Sequence, residues 1–291
     1  MEDQFKDDIL RPIENDKVLE LRDLYLIDWP KYCSAYYHIE MAHTWMTKYN
    51  ANTKFYSVEG NFDDATLIFI TREPGWNATI VYYYTLDETN ARLYKGLSKT
   101  KRINWNEEIC TLKHYRHQLS VAFDLAKELK LHFHYLDTTA LWWLPKEKAL
   151  EFEIKIPDNT FISPLSVEHA KKIHGVWPFK AHRPIEYIEN MIKYNNGVGI
   201  FDQNDKTLMA WILLNDYGSL AILQTDENYK RRGYAKIVTK ALCKKFAENN
   251  MDSLSFITLG NTPSETLFEG LGFKIVDYLC WVGMKPSKNK L

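Results

Sequence analysis

The chain has 291 residues, 45% of them hydrophobic and 26% charged, with 37 Lys and Arg against 38 Asp and Glu for a net charge of −1. That length allows two modest domains or one large one, and near-neutrality removes any general pull toward nucleic acid or an anionic membrane. Cys33, Cys110, Cys243 and Cys280 lie far apart with no Cys-x-x-Cys pair, the pattern of reduced thiols rather than of a disulfide framework. No apolar run approaches the ~20 residues of a membrane span. The acidic start is neither a secretory signal nor an Arg-rich transit peptide, so a cytoplasmic protein is expected, with the mitochondrial matrix as the alternative.

Hydrophobic periodicity predicts helices over 16–24 and 33–48 and strands over 66–71 and 78–85, joined by a turn at Glu73-Pro74-Gly75. A long helix over 107–129 and a strand over 131–136 follow. A charged stretch between Pro145 and Pro157 marks a boundary, although residues 152–156 alternate like a strand. The expected domains are therefore 1–150 and 151–291. In the second, helices are predicted over 166–176 and 184–195 and strands over 197–202 and 207–214. A turn at Asn215-Asp216-Tyr217-Gly218 leads to a strand over 219–225, a helix over 236–249 and a strand over 254–259. Both halves run helices, a strand pair, a long helix and a strand, an α/β (α+β) arrangement that suggests a duplicated fold.

The most informative segment is Tyr229-Lys230-Arg231-Arg232-Gly233-Tyr234-Ala235, between a strand and a helix. Backbone N–H groups at a helix start have no partner of their own and carry the positive end of the helix dipole, a ready site for a pyrophosphate. Gly233 and the small Ala235 let a phosphate approach, and three cations add charge. A Walker loop is excluded because no Gly-Lys-Ser/Thr follows, and a dinucleotide fingerprint because one glycine of three is present. On its own the heptapeptide is equally a basic helix start. A second element follows the next strand: Gly260-Asn261-Thr262-Pro263-Ser264-Glu265, a helix start with a cap, an early proline and an acidic first turn, which runs to Gly270 and Gly272 and a last strand over 274–283.

Together, Lys230-x-x-Gly233-x-Ala235 and Asn261-x-x-Ser264-x-x-Leu267-Phe268-Glu269-x-x-Gly272-Phe273 resemble the two signature segments of the acyl-CoA N-acyltransferases of the GNAT superfamily. Pro164-Leu165, His169-Ala170, Trp177-Pro178, Trp211, Gly218 and, more weakly, Asp28-Trp29-Pro30 and Ile103-Asn104-Trp105 resemble the glycine N-acyltransferase-like group. The resemblance implies a mixed, mostly antiparallel sheet flanked by helices in two tandem halves, the first without the loop because Thr85-Leu86-Asp87-Glu88-Thr89 carries neither glycine nor cation cluster. It implies transfer of an acyl group from acyl-CoA, a cosubstrate rather than a resident cofactor, to a small amine or amino acid. Backbone groups of residues 222–225, Leu223, Gln224 and Thr225 among them, would hold the pantetheine arm and polarise the carbonyl. Lys230, Arg231, Arg232, Gly233, Tyr234 and Ala235 would hold the pyrophosphate, with Asn261 and Phe268 beside the thiol.

Two positions depart from the pattern. Ser219 stands where the resembled group has a glutamate base, and Phe268 where many GNAT enzymes have a tyrosine acid. Asp216, Asp226, Glu227, His174 and His182 are other candidate bases, and Tyr234 and Tyr278 candidate acids. Each has a plainer reading: a turn aspartate, solvated charges, helix histidines, packed rings. An acyl-CoA-holding protein with little turnover is the alternative function. A nucleic-acid binder lacks both charge and motif. His114 with His117 and His132 with His134 have no ligand-rich partner, so no metal site is expected. Lys99 to Arg102 is a short solvated run, and Leu141-Trp142-Trp143-Leu144 reads as core. A monomer or weak homo-oligomer is expected.

Overall fold

The computed structural model describes residues 5–72, 79–181, 183–195 and 197–287, apart from the side chains of 110–114. The chain divides into two compact units, Met1–Thr139 with Asp277–Leu291, and Ala140–Val276.

The first unit carries β1 (Leu10–Pro12), α1 (Asn15–Asp23), α2 (Cys33–Tyr49), β2 (Thr53–Val58), β3 (Leu67–Thr71) and β4 (Thr79–Tyr84). Then come α3 (Ala91–Lys99), β5 (Ile109–Tyr115), α4 (Leu119–Glu128) and β6 (Leu131–Leu144), whose residues up to Thr139 belong here. β1 to β4 pair antiparallel in order, and β4 pairs parallel with β5. Both sheet faces are covered, so its strands are apolar in both alternating sets. Leu67, Phe69, Ile80, Tyr82 and Tyr84 pack with Val18, Leu21 and Ile39 of α1 and α2. Ile68, Ile70, Val81 and Tyr83 pack with Leu93, Leu97, Val121 and Leu125 of α3 and α4.

The long helix expected over 107–129 is instead β5 and the shorter α4. Ile109-Cys110-Thr111-Leu112 is a β-type run with a partner on each side: parallel to β4 at Ile80–Cys110 and antiparallel to the C-terminal strand at Met284–Ile109. His114 and His117 therefore do not share a helix. β2, with five of six residues buried, shows no polar alternation to announce it. The expected turn at Glu73-Pro74-Gly75 lies outside the described residues.

The second unit carries α5 (Lys146–Leu150), β7 (Thr160–Pro164), α6 (Ala170–Val176), α7 (Ile185–Asn190), β8 (Gly197–Asp202) and β9 (Leu208–Leu214). β10 (Leu220–Thr225), α8 (Tyr234–Glu248), β11 (Ser253–Thr258), α9 (Thr262–Glu269) and β12 (Lys274–Pro286) complete the chain. β7 to β10 pair antiparallel in order, and β10 meets β11 parallel at Leu220–Ser255. Every residue of β9, Leu-Met-Ala-Trp-Ile-Leu-Leu, is buried. Residues 152–156 form no strand, and α5 with the segment after it is held to α8 through Lys240 and Lys244 on the carbonyls of Glu153 and Phe152. The expected break after residue 150 made no provision for β12, which returns to the first unit from Asp277 onward because its residues 279–284 pair with β5.

Each unit contains one unit of topology: an antiparallel strand pair whose second strand is followed by a helix and a strand parallel to it. In the first this is β3, β4, α3 and β5; in the second β9, β10, α8 and β11. No helix among the described residues is long and apolar enough to cross a membrane.

Candidate active site

β10 is not regular. Ala221 stands opposite Leu213 and Gln224 opposite Trp211, so Ile222 and Leu223 together face Ile212. Two residues against one is a β-bulge, which takes peptide groups out of the ladder and bends the strand. Ile222 has φ +54°, a conformation rare for a β-branched residue and one that costs about 1–3 kcal/mol.

The bend separates β10 from β11 beyond Leu220 and Ser255 and opens a cavity of about 240 Å³. Its sides are residues 221–224 of β10 and 255–258 of β11. Trp211 and Ile173, both fully buried, also line it, as do Asn261, the cap of α9, and Ser264 and Phe268 within that helix. Val176, Trp177, Pro178 and Phe179, at and after the end of α6, form a rim. Val176 and Phe179 are about half exposed, and the Trp177 ring stacks on Tyr187 with centroids 5.8 Å apart. Among the described residues, none of the lining side chains is ionisable.

One turn past β10 the chain enters the basic loop. Arg231 and Gly233 have φ +61° and +80°, and α8 starts at Tyr234 with no side-chain cap. A Cβ built on Gly233 would meet nothing within 4 Å outside its chain neighbours, so the side of the cap residue at the helix N-terminus is open, where an anion is favoured. The three cations differ. Lys230 is paired with Glu227 at 2.6 Å, and Arg232 lies over the Tyr229 ring and donates to the Asn228 carbonyl. Arg231 is exposed and meets no partner among the described residues.

The residues singled out from sequence fall into three groups. Leu223, Gln224, Asn261 and Phe268 line the cavity, whereas Thr225, at the end of β10, does not. Lys230, Arg231, Arg232 and Gly233 are exposed on the turn, Ala235 is half-buried, and Tyr234 is buried, leaving it only a backbone role there. Asn261 Oδ1 accepts from Ser264 N over a long 3.4 Å, and Glu265 accepts from Gly260 N at 3.0 Å. Phe268 packs on Phe273 with centroids 4.8 Å apart.

The catalytic candidates are not gathered at the cavity. Ser219 is 1% exposed; its Oγ accepts from Asn215 Nδ2 at 2.8 Å and its N–H donates to Asn215 Oδ1 at 2.9 Å, which locks the turn before β10. Asp216 accepts from the Tyr187 hydroxyl at 2.8 Å. Asp226 is paired with Lys172 at 2.8 Å, and that hydrogen bond holds its carboxyl below the usual range. His174 Nε2 donates to the Arg183 carbonyl at 3.0 Å. Tyr278 is 39% exposed and belongs to the first unit, and His182 lies outside the described residues. Burial pushes the Cys243 thiol up to about 12, which removes it as a nucleophile. Among the described residues no three His, Cys, Asp or Glu side chains come together as a metal site.

The first unit has the same frame with its spaces filled. β4 pairs with β3 from Thr71–Ile80 to Leu67–Tyr84 with no bulge. Tyr84 and Tyr115, at the ends of β4 and β5, stand ring to ring at 6.0 Å, flanked by Tyr25 and Tyr32. α3 starts after Asn90 at φ +57°, as α8 starts after Gly233. In front of it Asp87 accepts from the Thr89 hydroxyl and N–H at 2.7 and 2.9 Å. The Thr89 hydroxyl above all, then the N–H groups of Thr89, Ala91 and Arg92, hold the Asp87 carboxyl below its usual range.

Residues 197–282 match the FR47-like protein family, and residues 9–121 match a domain of unknown function, DUF5645. A Drosophila protein solved by a structural genomics consortium is similar over 97% of this chain and 100% of its own, with 23% identity and a TM-score of 0.86. A tandem GNAT protein from the clavulanic acid biosynthesis pathway covers 94% of this chain and 97% of its own at 10% identity and a TM-score of 0.56. A GCN5-related N-acetyltransferase from Sphaerobacter thermophilus covers 96% and 95% at 8% identity and a TM-score of 0.57. No curated protein matches the chain in sequence. The fold is that of the GNAT acetyltransferases, in two tandem halves.

Proposed function

We propose that the second unit binds acyl-CoA and transfers its acyl group to a small amine. The observation that carries this reading is the conjunction, one turn apart, of a strand bulged away from its parallel neighbour and a helix N-terminus with open space before it. The first supplies a slot for an extended thiol arm with freed backbone groups along it, and the second a seat for its phosphates. Arg231 faces the solvent beside that seat, and Gly233 gives it room.

Chemistry would rest on placement. Holding amine and thioester in contact converts a bimolecular step into an effectively unimolecular one, and a bulge N–H aimed at the carbonyl oxygen stabilises charge as it develops. A thiolate leaves without an acid, which agrees with Phe268 at the position where the resemblance implies tyrosine. The resemblance to glycine N-acyltransferases puts amino acids among the acceptors to be tried. Ser219, buried in its turn, supplies no base for them.

The lack of an ionisable side chain among the described lining residues favours a second reading, an acyl-CoA-binding protein with little turnover. Calorimetry with CoA and thiol release from acetyl-, benzoyl- and longer acyl-CoAs with a panel of amines separate the cases. CoA binding with release supports the enzyme, and binding without release for any acceptor supports the second reading. No CoA binding by the folded chain overturns both.

A further inference from the structure

The slot between β10 and β11 has walls of strand backbone, Ser, Thr, Asn and Gln, and a rim of Val176, Trp177, Pro178 and Phe179, with no acid, base or fixed charge among the described residues that line it. Of the charged groups on these elements and the turns beside them, Asp226 is committed to Lys172, Asp216 to Tyr187, Glu265 to Gly260 N and His174 to the Arg183 carbonyl, while Lys171 and Glu269 are exposed and do not line the slot. Three consequences follow for the acceptor. An amino-acid carboxylate finds no cation in the slot, and burying it unpaired is costly. An alkylammonium finds no carboxylate. The aromatic faces of Trp177 and Phe179 attract a cation, but an ammonium is not a nucleophile until it loses a proton, and none of the described lining side chains takes one. An amine as basic as lysine, pKa about 10.4, is free in only about one molecule in 2,500 at pH 7.

Resting on the acyl-CoA reading, we propose that the acceptor is a weakly basic amine on an apolar body, of which an aromatic amine is the simplest case. Such an amine is neutral at pH 7 and enters the slot ready to react. Its nitrogen lone pair forms the N–C bond at the thioester carbonyl, the C–S bond breaks with its electrons going to sulfur, and the proton lost from nitrogen passes through water to the CoA thiolate. The products are the N-acyl arylamine and free CoA. The rim rings supply flat apolar contact for the aryl group.

The test uses the full chain, acetyl-CoA and two isomeric amines, p-toluidine and benzylamine, which match in atoms and differ in basicity, with glycine as a third acceptor. Benzylamine's free base is the stronger nucleophile, so the expected ratio is set low: thiol release at pH 7 at least tenfold faster with p-toluidine than with benzylamine or glycine. The p-toluidine rate should be flat from pH 6 to 8.5, and the benzylamine rate should rise about tenfold per pH unit, as its free-base fraction does. Val176→Asp, at a half-exposed rim position, should narrow the ratio by supplying a carboxylate that holds the ammonium and can take its proton. Equal or faster release with benzylamine or glycine at pH 7, or no release with any of the three, overturns the proposal. Calorimetric CoA binding in the same preparation tells that failure from failure of the acyl-CoA reading, because a lost acceptor leaves CoA affinity intact.

Discussion

Gly233 allows the phosphate seat to be tested with a matched pair of substitutions. Its φ of +80° would strain most side chains, but its Cβ direction is empty to 4 Å, so a substitution meets a backbone cost and no clash. An ordinary L-residue pays about 1–2 kcal/mol in this conformation, while Asn and Asp visit it more readily. Gly233→Asn and Gly233→Asp should therefore share a folding cost of about 1 kcal/mol or less, a fall of roughly 2–4 °C in Tm for a chain of this size. They should then separate in opposite senses. The aspartate sits at the start of α8, where a negative charge stabilises a helix by about 0.3–1 kcal/mol, so it should melt no lower than the asparagine variant. Toward a bound pyrophosphate the same charge is repulsive, by about 1 kcal/mol per unit charge at 4 Å in bulk water and about 4 at a protein surface. The exposed position favours the lower figure, which still makes CoA affinity at least about fivefold weaker for Asp than for Asn. Raising salt from 0.1 to 1 M shortens the screening length from about 10 to 3 Å and should shrink that gap. Melting curves and CoA titrations at two salt concentrations measure all of this. Equal CoA affinity in the two folded variants would show that phosphate does not sit at this helix start.

Arg231→Ala should weaken CoA binding several-fold at low salt and Lys230→Ala less, since Lys230 is already paired with Glu227; equal losses in a titration would show that this pairing does not matter. Asn261→Ala should cost less than the ~1 kcal/mol of a typical cap, its bond to Ser264 N being long at 3.4 Å, and should raise KM for acyl-CoA; a change in Tm with an unaltered KM would reduce Asn261 to a cap. Asp87→Ala should lower stability at pH 7 by about 1 kcal/mol, as loss of a helix-start acceptor does. Because its folded pKa is depressed, this contribution is present in full above the unfolded value of about 3.9 and is lost as pH falls through the lower folded value. The melting difference between wild type and Asp87→Ala should thus close as pH falls below that unfolded value, and a difference unchanged by acid would assign the effect to something other than the carboxylate.

The second unit was legible in sequence largely because its signals are local. A glycine at positive φ, a cap at Asn261 and a buried run at β9 announce themselves within a few residues. The first unit was harder because its strands are buried on both faces. β2 carries no alternation, and β5 was absorbed into a helix because its neighbours in the sheet come from residues 79–84 and 279–284, far away in sequence. The cavity was half visible. Leu223, Gln224, Asn261 and Phe268 came from motif position, whereas the rim was marked only by Trp177-Pro178, and the bulge at Ile222 left no mark because nothing in Ala-Ile-Leu-Gln predicts a positive φ for isoleucine. Ser219 illustrates the opposite failure: a position inferred from a neighbouring glycine proved to be tied into the turn by Asn215, a contact four residues back that motif position does not report.

The two halves show how little separates a filled frame from an open one. In both, a helix starts after a residue of left-handed conformation and presents N–H groups to whatever stands before it. In the first half that is Asp87, a carboxylate supplied by the chain, and the gap at the strand ends is filled by Tyr84 and Tyr115. In the second half no acidic side chain takes the place of Asp87: Glu227 is turned to Lys230 and Asp226 to Lys172, and the positions before the helix hold Arg231, Arg232 and Gly233. The strand there is bent rather than straight, at the cost of an isoleucine in a conformation it avoids. A carboxylate at one helix start satisfies the same donors that a phosphate would at the other, and the tyrosines bury what an extended ligand would otherwise cover. On the proposed acyl-CoA reading, the first half supplies internally the anion and the apolar filling that the second half would take from outside, and strain at Ile222 persists where the strand is bent and is absent from β4, which pairs without a bulge.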